Sequence, residues 1–322
     1  SLNEPYQLTK HKFNSTPSIG ITLICGHDNS MTEVLKQADI AMYQAKASGR
    51  NTMKFFDPQM QANITARVAL EADLRQSLVE GHFLLYFQAQ LFHHKIIGAE
   101  VLIRWQHPQQ GLLFPASFIP LAEETGLVLP IGQWVLESAC AQLSIWAGNA
   151  HTKHLQLSVN ISAYQFCQSD FVAQVIGTIE RNGVKPGKLR LELTESLFFV
   201  DINDAIVKMH ALRDFGVHFS MDDFGTGFSS LSSLKKLPIE QLKIDQSFVR
   251  DIATNPDDAV IIQTIIAMTK NMSMSVIAEG VETKAQLAFL EQHDCPLYQG
   301  YLFSKPVPIA QFETRLKEAI VP

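Results

Sequence analysis

Seven polar side chains fall at the carboxyl ends of short apolar runs that are spaced along most of the chain. Runs such as LQLSVN (155–160) and LRLEL (189–193) have the composition of strands, and each carries one of these residues. One acid or amide at a strand end is usually a loop or capping group, but seven recurrences favour a shared site. The seven residues are Glu100, Asn160, Glu192, Asp222, Lys243, Glu279 and Gln299.

The charge of this set indicates its chemistry. Asp223 and Glu282 adjoin it and bring the carboxylates to six, against the single cation Lys243. Carboxylates crowded into one barrel mouth repel strongly, and proteins tolerate them by protonating some or by binding cations. All-oxygen ligands favour Mg²⁺ or Mn²⁺ over Zn²⁺, and two such ions about 3.5–4 Å apart suit attack of water on a phosphodiester. The residues therefore predict phosphoryl hydrolysis with two divalent cations.

Strands must alternate with helices to position these residues. Units of roughly thirty residues, with helical patterns at 170–183, 202–216 and 284–294, are typical of parallel β/α architecture. About eight strands in about 260 residues predicts an α/β fold, a closed (β/α)8 barrel of the TIM type, whose carboxyl ends converge on one face. An open sheet would carry a glycine-rich phosphate loop after its first strand. The predicted strands are FLLYFQA (83–89), IIGAEVLI (96–103), LQLSVN (155–160), LRLEL (189–193), VHFSMD (217–222), IEQLKID (239–245), SVIAE (275–279) and PLYQGY (296–301).

The first sixty residues follow a different pattern. SIGITLIC (18–25) and MKFF (53–56) predict strands, and residues 31–51 between them predict a helix that ends near Gly49. A linking helix at 68–81 then leads into the alternating pattern. We expect a small α+β fragment at 1–58 and the barrel, with its linking helix, at 59–322. One β-α-β element cannot bury both faces of a sheet alone, so we expect this fragment to belong to a larger domain.

Composition argues against several classes of protein. Hydrophobic residues make up 46% and charged residues 18%, which is ordinary for a soluble globular protein, and the net charge of −6 argues against a duplex nucleic-acid binder. The eleven histidines form no HxH, HExxH or HD cluster that would indicate a histidine-metal hydrolase. The cysteines are far apart and predict reduced thiols in a cytosolic setting. They are Cys25, Cys140, Cys167 and Cys295.

No apolar run approaches the roughly 18 residues of a membrane span. The longest candidate, AVIIQTIIAM (259–268), is interrupted by Gln263 and Thr264 and predicts a buried helix face. We therefore expect a cytoplasmic chain with no membrane contact of its own. A membrane anchor could lie in amino-terminal segments of a parent protein.

The strings around the polar residues resemble the motifs of the EAL family of cyclic di-GMP phosphodiesterases, in the family's order, from about Leu70 to Pro308. GAEVLIRWQHP (98–108) corresponds to the name-giving motif, with Val101 in place of the usual alanine. The resemblance implies a barrel that hydrolyses cyclic di-GMP to linear 5′-pGpG with two Mg²⁺ or Mn²⁺ ions. The other motifs are SVNIS (158–162), LELTES (191–196), DDFGTGFSSL (222–231), LPIEQLKID (237–245), AEGVET (278–283) and YQGYLFSKP (298–306).

The amino-terminal piece resembles the last third of a GGDEF diguanylate cyclase domain. Its strand, its helix ADIAMYQAKASGRN (38–51) and MKFF carry that resemblance. The GGDEF signature itself is absent, so we expect no cyclase activity from this chain.

The EAL resemblance implies a metal and catalytic role for each matching residue. Lys243 would hydrogen-bond the attacking water and balance charge. Asp222 would bridge two ions, the second of them also held by Asp223 and Glu279. Glu279 has an alternative role as the general base, and this choice stays open. The ligands implied for the first ion are Glu100, Asn160, Glu192 and Asp222.

Other matching positions imply contacts with substrate. Gln88 and Arg104 would contact guanine or phosphate, and the planar guanidinium suits bidentate phosphate binding. Glu282 would face a guanine or support the site, and Gln299 would line it. Ala89 departs from the family's usual proline after Gln88, and the hairpin LFHHK (91–95) is shorter than usual. Neither departure removes a metal ligand.

The segment after Asp223 implies a coupling role. Gly225 and Gly227 flank Thr226, which is typical of a mobile loop between strand and helix. In the family this loop couples metal binding to dimerisation, and Glu195 would hold it by a hydrogen bond. The resemblance therefore also implies a homodimer formed through the barrel. An ordinary tight turn is the alternative interpretation.

Three functions remain open from the sequence. The first is an active cyclic di-GMP phosphodiesterase. The second is a catalytically silent EAL domain that acts as a cyclic di-GMP receptor, and such members usually lack one of the metal or lysine positions. The third is a scaffold whose barrel mainly contacts partners. Because every metal position and Lys243 are present, the sequence favours the phosphodiesterase.

Overall fold

The chain forms two compact units in a computed structural model, one up to Leu74 and one from Arg75 onward. The structure describes residues 6–8, 11–13, 15–24, 30–195, 197, 201–225 and 234–317. The division between the units follows Leu74, sixteen residues beyond the predicted domain boundary at residue 58. That boundary stays a prediction, because a family boundary and a packing boundary need not coincide.

The first unit contains the predicted strand–helix–strand element. Ser30 begins the helix, since its Oγ accepts a hydrogen bond from the backbone N–H of Glu33 at 3.2 Å. The helix packs closely on the preceding strand, because a Cβ at Gly20 would lie 2.0 Å from the carbonyl oxygen of Ala38. The elements are β1 (Tyr6–Leu8) and β2 (His11–Phe13), which pair antiparallel, and β3 (Ile19–Ile21), α1 (Met31–Ala47) and β4 (Met53–Phe55), in which β3 and β4 pair parallel.

The linking helix α2 (Pro58–Glu80) begins ten residues before the predicted start at residue 68. Pro58 occupies its first turn, where a missing N–H costs nothing. Asp57 precedes it, and its Oδ1 accepts a hydrogen bond from the N–H of Gln59 at 2.9 Å. This early helix start is not predicted from the sequence, because the polar stretch QMQAN (59–63) lacks the periodic spacing of apolar residues by which helices are recognised.

Eight strands of the second unit close into a barrel, as predicted. The first and second strands pair with each other, and the first also pairs with the last, so the sheet has no open edge between them. Two short strands, β7 (Gly111–Leu113) and β14 (Val307–Pro308), extend the sheet. The barrel strands are β5 (Phe83–Phe92), β6 (Lys95–His107), β8 (Gln156–Asn160), β9 (Leu189–Thr194), β10 (His218–Phe224), β11 (Gln241–Ile244), β12 (Ser275–Ala278) and β13 (Leu297–Tyr298).

The first barrel strand, β5, runs antiparallel to both of its neighbours, in agreement with the hairpin expected at 91–95. Its connection to β6 consists of His93 and His94 alone, both in the left-handed region with φ of +43° and +65°. Two residues close an antiparallel hairpin, whereas a parallel pair needs a crossover of a dozen or more. The short hairpin therefore reverses the first strand.

Helices surround the barrel. Their starts follow the local sequence: the Oδ1 of Asp201 accepts hydrogen bonds from the N–H groups of Asn203 and Asp204, and Thr283 forms a capping box with Gln286. Among the described residues, none of the helices combines the length and apolarity needed to cross a bilayer. The helices of this unit are α3 (Pro115–Thr125), α4 (Val128–Ala147), α5 (Ala163–Phe166), α6 (Phe171–Arg181), α7 (Ile202–Phe215), α8 (Gln246–Arg250), α9 (Pro256–Asn271), α10 (Lys284–Gln292) and α11 (Ile309–Lys317).

The strands separate an apolar core from a polar interior. Leu191 on β9 belongs to the core between strands and helices, whereas Arg190 lies one residue away on the opposite face. Arg190 Nη1 donates to Gln241 Oε1 at 2.9 Å, and Ser220 Oγ lies 3.4 Å from the same oxygen. Side chains of three neighbouring strands thus bond to one another inside the barrel. TIM-type barrels are usually filled there by branched apolar residues.

Candidate active site

Lys243 lies at the centre of a buried cluster of carboxylates. Its side chain on β11 is 1% exposed. Its Nζ lies 2.5 Å from Glu192 Oε2, 2.7 Å from Glu279 Oε1, 3.1 Å from Asp222 Oδ1 and 3.3 Å from Glu100 Oε2. Four acids from four elements thus converge on one ammonium group. The structure brings together the charged members of the set predicted from strand ends.

The register of the strands explains this convergence. Glu100 pairs with Ser158 and Asn160 pairs with Glu192, so these side chains succeed one another around the barrel wall. Glu192 and Asp222 each lie two residues before the end of their strand, and Glu279 follows the last residue of β12. Glu100 lies in the middle of the longer β6, opposite Ser158. Parallel strands end at the same rim, which places these side chains at one depth.

Amide side chains fix the orientation of two carboxylates. Asn160 Nδ2 donates to Glu100 Oε1 at 2.7 Å, and Gln299 Nε2 donates to Glu100 Oε2 at 2.6 Å. Gln299 Nε2 also lies 2.9 Å from Glu279 Oε1. Both oxygens of Glu100 are therefore held in place by neighbours.

Gln90 belongs to this network, although the pattern of polar residues at strand ends does not predict it. Its Nε2 donates to Gln299 Oε1 at 3.2 Å, which orients the Gln299 amide with its NH₂ toward the carboxylates. Ser158 Oγ lies 3.5 Å from Gln90 Oε1, and Gln90 is only 3% exposed. The available signal was period-two spacing, because Gln88 and Gln90 share the inner face of β5. A search limited to strand ends does not find Gln90, because this residue lies deeper in the barrel.

The cluster shifts the pKa values of its members in opposite directions. Burial disfavours charge on Lys243, but the surrounding carboxylates outweigh it and raise the pKa of the ammonium well above its usual range. Burial likewise acts to raise the pKa of Glu100, but Lys243 and the amide hydrogen bonds reverse this and lower it. Burial and neighbouring carboxylates raise the pKa of Glu192 to about 8, although Lys243 opposes the rise. Burial, with the same neighbours, raises the pKa of Glu279 well above its usual range.

The arrangement fits a hard divalent cation. Glu100, Glu192 and Asp222 each offer an oxygen, and these atoms lie within 4.8 Å of one another. Glu192 Oε1 is buried and has no hydrogen-bond partner among the described residues. A buried carboxylate oxygen is costly unless something binds it, and oxygen ligands are those that Mg²⁺ and Mn²⁺ prefer. Asn160 uses its NH₂ for Glu100, which leaves the amide oxygen as its ligand atom.

Asp223 is placed differently from the buried acids. It follows Asp222 at a bulge between Met221 and Phe224, with φ of +54°, and it is exposed. Its backbone N–H donates to Asp222 Oδ1 at 3.0 Å. Partial burial, with the charges of Asp222 and Asp245, raises the pKa of Asp223. The bulge thus turns the second acid of the pair outward, beside the first.

Glu282 does not join the Lys243 cluster. It is exposed beyond the end of β12, and its backbone N–H donates to Gln286 Oε1 at 2.7 Å. Around Lys243 Nζ itself there are four carboxylates among the described residues. Asp223 and Glu282 both reach solvent, so the four carboxylates around Lys243 are the buried part of the six predicted acids.

Arg104 and Gln88 flank the cluster. The Arg104 guanidinium lies 4.8 Å from the ring centre of Phe114 and 5.3 Å from that of Tyr86, and its Nε has no hydrogen-bond partner among the described residues. Gln88 pairs with Glu100 in the β5–β6 register, and its Nε2 lies 3.4 Å from the carbonyl oxygen of Ser304. Both are buried polar groups near Glu100, and their contact with substrate stays a prediction.

Glu195 contacts the segment after the aspartate pair. Its Oε1 accepts a hydrogen bond from the Gly225 N–H at 3.0 Å, and Glu195 is 5% exposed. Gly225 has φ of +100°, and a Cβ there would lie 3.0 Å from the Phe248 ring, so glycine suits both its conformation and its surroundings. Thr226 and Gly227, which were also predicted to belong to this loop, lie outside the described residues.

The chain belongs to the EAL family. Residues 71–306 match the EAL domain, and residues 1–52 match the family described as diguanylate cyclase, GGDEF domain. The predictions of the family, of the short GGDEF fragment and of the barrel are therefore confirmed. The roles of single residues stay predictions.

Two relatives of this chain come from Pseudomonas aeruginosa. One, named bifunctional diguanylate cyclase/cyclic di-GMP phosphodiesterase MucR, is 41% identical over 312 residues, which cover 96% of this chain and 45% of MucR. The other, named cyclic di-GMP phosphodiesterase NbdA, is 39% identical over 318 residues, which cover 98% of this chain and 40% of NbdA. The chain thus spans less than half the length of either relative.

Solved structures show the same fold. A structure titled PaMucR phosphodiesterase, c-di-GMP complex, is 41% identical, with a TM-score of 0.73, covering 76% of this chain and 99% of that one. The EAL domain of Mycobacterium smegmatis DcpA is 33% identical, with a TM-score of 0.63, covering 75% of this chain and 99% of that one. The second unit therefore has the architecture of solved EAL domains.

Proposed function

We propose that this chain is a metal-dependent phosphodiesterase that hydrolyses cyclic di-GMP to linear 5′-pGpG. The observation that carries the proposal is the buried cluster in which Lys243 Nζ lies 2.5 to 3.3 Å from four carboxylates. The names of MucR and NbdA, and the cyclic di-GMP complex of the MucR domain, support the choice of substrate. The cluster supports hydrolysis over simple binding, because a receptor has no need of buried, mutually repelling acids.

The proposed metal sites share Asp222. Glu100, Asn160, Glu192 and Asp222 would hold one Mg²⁺ or Mn²⁺, and Asp222, Asp223 and Glu279 would hold a second. The bound ions would polarise the phosphodiester and lower the pKa of the attacking water. The unpartnered oxygen of Glu192 supports the first of these sites most directly.

Lys243 and Glu279 would each act on the attacking water. The raised pKa keeps Lys243 protonated, so it can donate hydrogen bonds to the attacking water and to anionic oxygens but cannot serve as a base. Glu279 Oε1 lies 2.7 Å from Lys243 Nζ, and its carboxylate would accept the proton of the attacking water when it is ionised. Glu279 as metal ligand and Glu279 as general base remain two versions of the proposal.

The remaining predicted residues would bind the nucleotide. Arg104 offers a buried guanidinium whose Nε has no hydrogen-bond partner in the described part of the chain, and Gln88 offers an amide beside Glu100. Gln299 lines the site through its bonds to Glu100 and Glu279, and exposed Glu282 could face a base from the rim. A homodimer formed through the barrel, and a cytoplasmic location, are proposals that rest on the family resemblance alone.

Product formation tests the proposal. Purified protein incubated with cyclic di-GMP and Mg²⁺ or Mn²⁺ should yield 5′-pGpG, and a chelator should abolish it. Glu100→Gln keeps the size of the side chain but removes a ligand charge, so it should reduce turnover by about 100-fold or more. Glu180→Gln, an exposed residue on α6, serves as the matched control. Tight binding of cyclic di-GMP without product would instead support the receptor.

A further inference from the structure

Two of the predicted site carboxylates, Glu279 and Glu282, lie on one short loop (279–283) that joins β12 to α10. The strand ends before this loop, so sheet hydrogen bonds do not extend along it. Gly280 has φ of +67°, and a Cβ there would lie 2.6 Å from the Cβ of Gln246 at the start of α8. The chain therefore turns sharply against α8 directly after Glu279. The conformation of the loop decides where both carboxylates point.

A buried glutamine on α10 holds this loop. Gln286 Oε1 accepts hydrogen bonds from the backbone N–H groups of Glu282 at 2.7 Å and Thr283 at 2.8 Å, and Gln286 is 5% exposed. Thr283 Oγ1 in turn accepts from the Gln286 backbone N–H at 3.2 Å, which completes the capping box of α10. A capping box requires only the bond to Thr283. The bond to Glu282 is additional, and it restrains the loop itself.

The same amide bonds to the helix that follows the lysine strand. Gln286 Nε2 donates to the carbonyl oxygen of Arg250, the last residue of α8, at 3.0 Å. Helix α8 begins at Gln246, two residues after β11 ends, and β11 carries Lys243. Because the amide nitrogen and oxygen bond to different elements, the orientation of the Gln286 side chain is defined. Gln286 thus connects the loop that carries Glu279 to the helix after the strand of Lys243.

The other side of the loop is bonded through its backbone. The Val281 N–H donates to the carbonyl oxygen of Gln299 at 3.1 Å, and the Val281 carbonyl oxygen accepts from the Leu302 N–H at 3.0 Å. A Cβ at Gly300 would lie 2.1 Å from that carbonyl oxygen, so the two segments are in close contact. The bonds of Val281 join backbone groups, whereas Gln286 is a side chain that a substitution can change.

We propose that Gln286 is a positioning residue, which sets the place of Glu279 and Glu282 relative to Lys243 by holding the loop between β12 and α10. The inference rests on the proposed function, since that function gives both carboxylates their roles. Glu279 Oε1 lies 2.7 Å from Lys243 Nζ, within reach of a group that the ammonium also contacts. A displacement of about 1 Å can cost about 100-fold in rate. Glu279 needs this placement both as a metal ligand and as a general base.

Two substitutions of Gln286 test this role. Gln286→Met keeps the length of the side chain but removes the acceptor, so turnover of cyclic di-GMP should fall about tenfold, and amide hydrogen exchange at 279–283 should accelerate about tenfold. Gln286→Glu keeps an oxygen for both N–H groups, and glutamate is usual at this position of a capping box. Its turnover should therefore stay within about threefold of the unmodified protein. Gln292→Met, at an exposed position on the same helix, is the matched control.

Thr283→Ala separates positioning of the loop from capping of the helix. It removes the hydroxyl that caps α10 but leaves both N–H groups bonded to Gln286 Oε1. Its thermal unfolding midpoint should fall about as far as that of Gln286→Met, because each variant loses half of the capping box. Its turnover and its exchange at 279–282 should stay within about twofold. Turnover that follows the midpoint equally in both variants would overturn the positioning role.

Hydrogen exchange keeps this inference separate from the proposed function, because it is measured without substrate or metal. If the unmodified protein forms no 5′-pGpG, the proposed function fails, and the exchange comparison still decides whether Gln286 holds the loop. Faster exchange at 279–282 in Gln286→Met than in Thr283→Ala supports the inference, and equal exchange overturns it. Gln286→Asn, whose shorter amide cannot reach both N–H groups, provides the same comparison if Gln286→Met does not fold.

Discussion

Lys243 is the residue on which the charge balance of the site depends. Lys243→Met removes the ammonium that contacts four acids while keeping a side chain of similar length. Removing one partner of a buried ionic group costs about 3–5 kcal/mol of folding stability, so the variant should unfold at lower temperature, especially above neutral pH. Turnover should fall by about 100-fold or more with smaller loss of substrate affinity, because charge balance matters most in the transition state.

Steady-state kinetics and binding calorimetry check this prediction together. Lys236→Met provides the matched control, because Lys236 is an exposed lysine in the segment before β11. Equal losses in turnover and affinity would contradict a role for Lys243 in the transition state.

Gln90 acts through Gln299. Gln90→Leu removes the donor that orients the Gln299 amide, so the amide can present its oxygen to Glu100 instead of its NH₂. Because the Gln299 hydrogen bond helps to lower the pKa of Glu100, its loss should raise that pKa. Turnover should therefore drop about tenfold, and the acid limb of its pH profile should move to higher pH.

The pH profile distinguishes positioning from packing. Gln106→Leu, at an exposed position on β6, controls for the change of glutamine to leucine in a strand. A Gln90→Leu enzyme that is slower at every pH by the same factor would indicate a packing defect, and an unchanged rate would exclude the role of Gln90.

At the scale of elements, Glu195 ties the end of β9 to the end of β10. Glu195→Ala leaves the Gly225 N–H without its acceptor and should loosen the backbone that carries Asp222 and Asp223. The metal concentration for half-maximal activity should rise several-fold, and amide hydrogen exchange at 222–225 should accelerate. Glu180→Ala on α6 is the control. Equal protection of this segment in both variants would show that the bond does not hold it.

The sequence predicted those elements whose signals are local. Alternation and length predicted the barrel, and polar residues at strand ends predicted the Lys243 cluster. The hairpin at 91–95 was expected from the family resemblance alone, because His93 and His94 adopt left-handed backbone without the glycine or asparagine that usually marks such turns. The outward position of Asp223 depends on a bulge in the β10–β11 pairing, which single-strand patterns do not contain. Contacts such as Gln90 with Gln299 join strands 209 residues apart.

At the scale of the whole molecule, the carboxylate cluster couples metal binding to protonation and to folding. The pKa of Glu192 rises from 4.5 to about 8 on folding without metal, and that of Glu279 also rises. The folded, metal-free chain therefore holds protons that the unfolded chain has already lost above about pH 4.5. Its stability should decline as pH rises from about 4.5 to about 8. The lowered pKa of Glu100 changes the folding stability only at pH values below about 4.5.

Mg²⁺ reverses this decline, because it binds the deprotonated carboxylates and displaces their protons. Near pH 7, the apparent enthalpy of Mg²⁺ binding should differ between two buffers of different ionisation enthalpy, in proportion to the protons released. The rise in unfolding midpoint caused by Mg²⁺ should be larger at pH 8 than at pH 5. Glu192→Gln cannot release a proton at that position, so it should show a smaller buffer dependence. A buffer-independent enthalpy in the unmodified chain would mean that the acids are already ionised, which a lone ammonium among four carboxylates cannot maintain.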